Sequence, residues 1–149
     1  MKNKKIYKLI NDERDWYDCD YTGNAEDLIS PLNRLFTITF LTGELLSRVN
    51  KELKGKPHQK FHLVLNFIPF GKDKPITEVN VGIEYDSNLT ATTAKDYGEK
   101  TYTIIRLVNE YLSDLGYHLD SFNNANDFLD KLLEEYPYFE KYFNMETIK

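Results

Sequence analysis

Two stretches, Lys60-Phe-His-Leu-Val-Leu-Asn-Phe-Ile68 and Thr77-Glu-Val-Asn-Val-Gly-Ile-Glu-Tyr-Asp86, are joined through the turn-rich Pro69-Phe-Gly-Lys-Asp-Lys-Pro75. The second alternates. Val79, Val81, Ile83 and Tyr85 share one face while Glu78, Asn80, Gly82, Glu84 and Asp86 share the other, as expected of a strand with one side on a core and one in water. The first puts Phe61, Leu63, Leu65 and Phe67 on one face and His62, Val64, Asn66 and Ile68 on the other, which leaves few polar positions and predicts deeper burial. Gly71 and two prolines between them give the chain reason to reverse, so the pair reads as an antiparallel hairpin over about 60–86.

Outward from this hairpin, Lys4 to Ile10 reads as a candidate edge strand, with Tyr7 and Leu9 on one side. Ser30-Pro31 is a helix start, with a hydroxyl to cap free amides and proline at the first helical position. Leu32, Leu35, Phe36, Leu46, Val49 and Leu53 follow near helical spacing, predicting one helix over about 31–53. Inside it, Phe36-Thr-Ile-Thr-Phe40 also suits a strand, and Gly43 is a candidate break. A second helix is expected from about Ala94 or Tyr97 to Leu115, striped by Ile104, Ile105, Val108, Tyr111 and Leu112 and closed by Gly116. A third, capped by Asn124 or Asn126, carries Phe128, Leu129, Leu132, Leu133 and Tyr136, and Pro137 opens a last turn in which Tyr136, Phe139 and Phe143 share a face. The expected fold is α+β: a small antiparallel sheet packed against about three helices, in a single domain spanning 1–149.

Composition narrows the class. A chain of 149 residues buries roughly 70% of its unfolded surface and needs no covalent staple. The single cysteine, Cys19, has no internal partner for a disulfide, which favours a reducing compartment. The first ten residues carry four lysines but lack a signal peptide's apolar run, and no stretch approaches the roughly 20 apolar residues of a membrane span. A cytoplasmic protein is expected. The net charge of −5 opposes non-specific binding to nucleic acid.

The charge is unevenly spread. Residues 12–27 carry seven acids against one arginine, and within them acids alternate with aromatics: Asp15, Trp16, Tyr17, Asp18, Asp20 and Tyr21. Without helical or strand periodicity, this stretch reads as a loop. As a recognition surface, its aromatics would supply contact energy and its acids would complement a basic partner. As plain structure, the aromatics would pin the loop to the core while the acids stay hydrated.

Catalytic and cofactor signatures are weak. His58 and His62 are four apart, a spacing that on a strand spans about 13 Å, too far for one ion, so neither a metal nor another cofactor is expected. Glu84 and Asp86, with Asn80 on the same face, form the best carboxylate constellation for an enzyme, but no lysine follows either acid at a nuclease-like interval. No Gly-x-Ser-x-Gly elbow or P-loop occurs. Lysines between 51 and 74 form a candidate nucleic-acid contact, with a hydrated rim as the competing reading. The leading expectation is a non-enzymatic protein-binding domain, an inhibitor, immunity-like or adaptor protein using residues 15–21 against another protein. Self-association through the aromatic C-terminal region is compatible with each reading.

Overall fold

A computed structural model describes residues 4–11, 30–54, 61–85, 94–119 and 125–148. The hairpin is present. β2 (Phe61–Ile68) pairs antiparallel with β3 (Glu78–Tyr85), in a register that sets Leu63 against Ile83, Leu65 against Val81 and Phe67 against Val79. All of these odd-numbered residues lie on the core face, and Ile83 alone among them is only half-buried. The connection turns through Gly71, whose φ of +123° is a conformation that side-chain-bearing residues rarely adopt.

β1 (Lys4–Leu9) is a strand, but it does not join the hairpin as a third ladder strand. It pairs antiparallel with β4 (Phe143–Ile148), so the described residues form two ribbons of two strands each. The ribbons are stitched together by the β2–β3 connection, which runs alongside the other edge of β1. There the Asp73 N–H donates to the Leu9 carbonyl at 3.0 Å and the Ile76 N–H to the Tyr7 carbonyl at 2.9 Å. Tyr7 and Leu9 turn inward and are buried.

The single helix expected over 31–53 is two. α1 (Pro31–Phe40) begins on Ser30, whose Oγ accepts the Asn33 N–H, and α2 (Gly43–Leu53) begins on Thr42, whose Oγ1 accepts the Leu45 N–H. The break lies where glycine suggested it. Its cause is the capping hydroxyl of Thr42, which replaces a helical bond with a side-chain one. The ambiguous Phe36-Thr-Ile-Thr-Phe40 resolves as helix by its burial. Phe36 and Phe40, four apart, are 0% and 1% exposed, whereas Ile38, which a strand would place beside them, is 71% exposed.

α3 (Ala94–Asp114) packs on α2 and β3, and α4 (Ala125–Glu135) on β1 and β3. Pro137 does open a last turn, a 3-10 helix over Pro137–Tyr142, but the chain then extends as β4 where a continued aromatic helical face was expected. With α1, α2, α3, α4 and this turn, the described helices exceed the expected three, and the α+β class stands. One apolar cluster draws on every strand and α-helix and on the turn. Phe40 lies at its aromatic centre, with ring centroids 4.7 Å from Phe36, 5.3 Å from Tyr117 and 5.4 Å from Tyr136. Among the described residues no helix is long and apolar enough to cross a membrane.

Candidate functional site

The two edges of the hairpin have different fates. Along the outer edge of β2, the Leu63 N–H donates to Thr37 Oγ1 at 2.9 Å, the same hydroxyl lies 3.2 Å from the Leu63 carbonyl it donates to, and the Leu65 N–H donates to Asn33 Oδ1 at 2.9 Å. Asn33 and Thr37 are one helical turn apart, a rise of about 6 Å. Leu63 and Leu65 are two strand residues apart, roughly 6.6 Å. The two repeats match closely enough for α1 to stand in for a neighbouring strand.

This bonding also fixes the direction of the β3 backbone. In an antiparallel ladder, directly opposed residues either both bond each other or both turn their amides outward. Leu63 and Leu65 turn outward, so their partners Ile83 and Val81 do too, on the opposite edge. Among the described residues no strand or side chain bonds that edge.

Beside it runs a groove of about 550 Å³ between β3 and α3. Both Asn80 and Val81 line it, and since adjacent strand residues point to opposite faces, the groove wraps the edge itself. The far wall is a stripe of α3 residues at helical spacing, Tyr102, Ile105, Arg106, Asn109, Glu110 and Ser113. Tyr102 is 72% exposed, a large aromatic at the mouth.

The end of the groove is shaped by the α3 C-terminus. The Tyr117 N–H returns to the Leu112 carbonyl and the Gly116 N–H to Ser113, the paired bonds of a Schellman turn, with Gly116 at φ +93°. This folds Tyr117 into the core and His118 back over the helix, so that Ser113 Oγ and His118 Nδ1 are 3.2 Å apart in the groove wall. Tyr117 donates to Glu135 Oε2 at 3.0 Å, and burial first, then this bond, push its phenol up. Lys131, 2.6 Å from the other oxygen of Glu135, holds that carboxyl below its ordinary value.

The rim behind the groove is charged. Arg106 reaches Glu110 and, across to α2, Glu52, each at 2.9 Å, and Arg48 of α2 reaches Asp114 at 2.8 Å and Glu44 at 3.2 Å. Four carboxylates thus surround two guanidiniums along this seam. Being exposed to solvent, these pairs add little to stability.

The residues singled out from sequence fall differently. Asp15, Trp16, Tyr17, Asp18, Asp20 and Tyr21 lie outside the described residues, as do Asp86 and His58. Glu84 is exposed on the outer face of β3, 3.6 Å from Nε2 of the buried His62 on β2, and is not part of the groove wall. Asn80, on the same face, does line the groove. Of the basic stretch, Lys51 and Lys54 end α2 while Lys72 and Lys74 sit in the β2–β3 connection, all exposed. Among the described residues no three histidine, cysteine or acidic side chains stand together as a metal site.

As chemistry, the Ser113–His118 pair lacks what acyl transfer requires nearby. The amides of Leu115, Gly116 and Tyr117 are engaged by the carbonyls of Tyr111, Ser113 and Leu112, leaving none of the three to bind a developing oxyanion. A groove with an apolar floor, polar and ion-paired side chains along its wall and a strand edge unbonded among the described residues is better suited to holding a polypeptide. Comparison of the chain with protein-family models, with curated proteins and with solved structures found no match.

Proposed function

We propose that this chain is a small acidic protein-binding domain without catalytic activity, an inhibitor, immunity-like or adaptor protein that works in the cytoplasm against a partner with a basic surface. The observation that carries this reading is the groove wrapped around the outer edge of β3, with the exposed ring of Tyr102 at its mouth. Exposed aromatics beside a concave, partly apolar surface are where protein interfaces concentrate their energy. The net charge of −5 favours a basic partner by steering its approach. The acid and aromatic residues Asp15 to Tyr21 supply a second contact surface in this reading.

The test is capture of a partner from the native host on the immobilised chain. One stoichiometric protein is expected, retained less by Tyr102→Ala, which removes an exposed ring without touching the core, and less by Trp16→Ala combined with Asp18→Ala. Recovery of no stoichiometric protein, or equal recovery by all variants, would count against the reading.

A further inference from the structure

Resting on that protein-binding reading, we propose that the partner contributes an extended segment of alternating apolar and basic residues, which adds to the outer edge of β3 as a third strand. The backbone of Val81 and Ile83 directs its N–H and C=O groups to this edge, because their partners Leu65 and Leu63 present theirs to Asn33 and Thr37 on the other. Ile83 is half-buried, and Val81, although only 4% exposed, opens onto the groove. An edge left unpaired among the described residues is the template for strand addition. Main-chain bonds supply affinity there, and alternate side chains supply selectivity.

The selectivity follows from the faces of β3. On an added strand, the residues opposite Val79, Val81 and Ile83 point to the same side as those three, the central one into the groove that Val81 and Ile105 of α3 line, and should be apolar. The residues opposite Glu78 and Glu84 share the outer face with those two carboxylates and should be lysine or arginine. Glu78 and Glu84 are six residues apart on one face, so a segment of about seven residues meets both.

A second copy of this chain is a poorer occupant. Two β3 edges paired antiparallel about Val81 would set each Glu78 opposite the other copy's Glu84, like charges directly across the ladder. The same acids that repel a second copy attract a basic strand.

The test uses the full chain and three blocked peptides: a seven-residue peptide alternating lysine with valine, its glutamate twin, and an amphipathic helical peptide of equal positive charge. Binding is followed by calorimetry, and residue-resolved amide hydrogen exchange is read by NMR. The lysine peptide should bind at least tenfold more tightly than the glutamate twin and slow exchange at Val81 and Ile83 at least tenfold, leaving Leu63 and Leu65 as they were. Glu78→Lys with Glu84→Lys, both on the solvent face, should reverse the preference between the twins.

Lysine-peptide binding without slowed exchange at Val81 and Ile83, equal binding of the twins, or no lysine-peptide binding at millimolar concentration would overturn strand addition. If the helical peptide binds instead, or a host partner is still captured in a Tyr102-dependent way, only the strand is wrong and the protein-binding reading stands. If no probe binds and no partner is captured, both fall.

Discussion

β2 and β3 belong to one hairpin of eight-residue strands, yet their outer edges have opposite surroundings. The edge of β2 is closed by a helix whose Asn33 and Thr37 imitate the spacing of a strand; the edge of β3 faces a groove. Exposed edges invite unwanted pairing, and proteins commonly cover them. Here the cover is specific and built from two side chains. A fold that closes one edge with two side chains and leaves its twin unbonded among the described residues points to the second edge as the place where something else fits.

That contrast can be strained from either side, beginning with the anchor of the cover. Phe40→Ala removes the ring that, packed beside Phe36, ties α1 to Tyr117 and Tyr136, and should cost about 3–5 kcal/mol in urea unfolding. A loss under about 1 kcal/mol would mean α1 is not held by that cluster. Asn33→Leu keeps the bulk but leaves the Leu65 N–H without its acceptor in a buried position, for a loss of about 1–3 kcal/mol. It should also speed exchange at Leu65.

Alkaline pH probes the wall on the open side. Burial first, and then carboxylate hydrogen bonds, push the phenols of Tyr117 and Tyr7 well above their ordinary value. Groups raised in the folded state support it below the unfolded value of about 10 and lose that support as pH rises beyond it. Unfolding midpoints should therefore fall between pH 10 and 11, each phenol adding up to about 1.4 kcal/mol per pH unit to the slope. Tyr117→Phe should flatten part of that fall; an unchanged slope in this variant would show that Tyr117 is not among its causes. Smallest of all, Asn80→Leu on the open edge should change stability by less than about 0.5 kcal/mol, in contrast to Asn33→Leu on the closed one.

Much of the frame was legible in the chain because it is written locally. The alternation of Val79, Val81 and Ile83, the Ser30-Pro31 cap and Gly116 at the end of α3 each state their own structure within a few residues. The sequence reading failed where partners lie far away. β4 carries Phe143 buried but Asn144, Met145, Glu146 and Thr147 all exposed, so no buried face announces it; pairing with β1, more than 130 residues earlier, makes it a strand. Phe36-Thr-Ile-Thr-Phe40 satisfied both periods, and burial of its two phenylalanines decided for helix.

The groove was hidden for a related reason. Tyr102, Asn109 and Ser113 read one by one as a solvated helix face, and nothing local says that β3, not β2, is left with an open edge. One signal was available: Asn33 and Thr37, polar residues one turn apart on an otherwise apolar helix flank, are now seen to bond a strand. The acid-aromatic residues from Asp15 to Tyr21, the surface expected from sequence, lie outside the described residues, so the groove is an additional candidate rather than a substitute.

Residue-resolved amide hydrogen exchange of the free chain compares the four positions on which everything else depends. Leu63 and Leu65 should exchange at least tenfold more slowly than Val81 and Ile83, because among the described residues only the first pair donates to a fixed acceptor. Equal protection of all four amides, or slower exchange at Val81 and Ile83, would contradict the distinction between a closed edge and an open one.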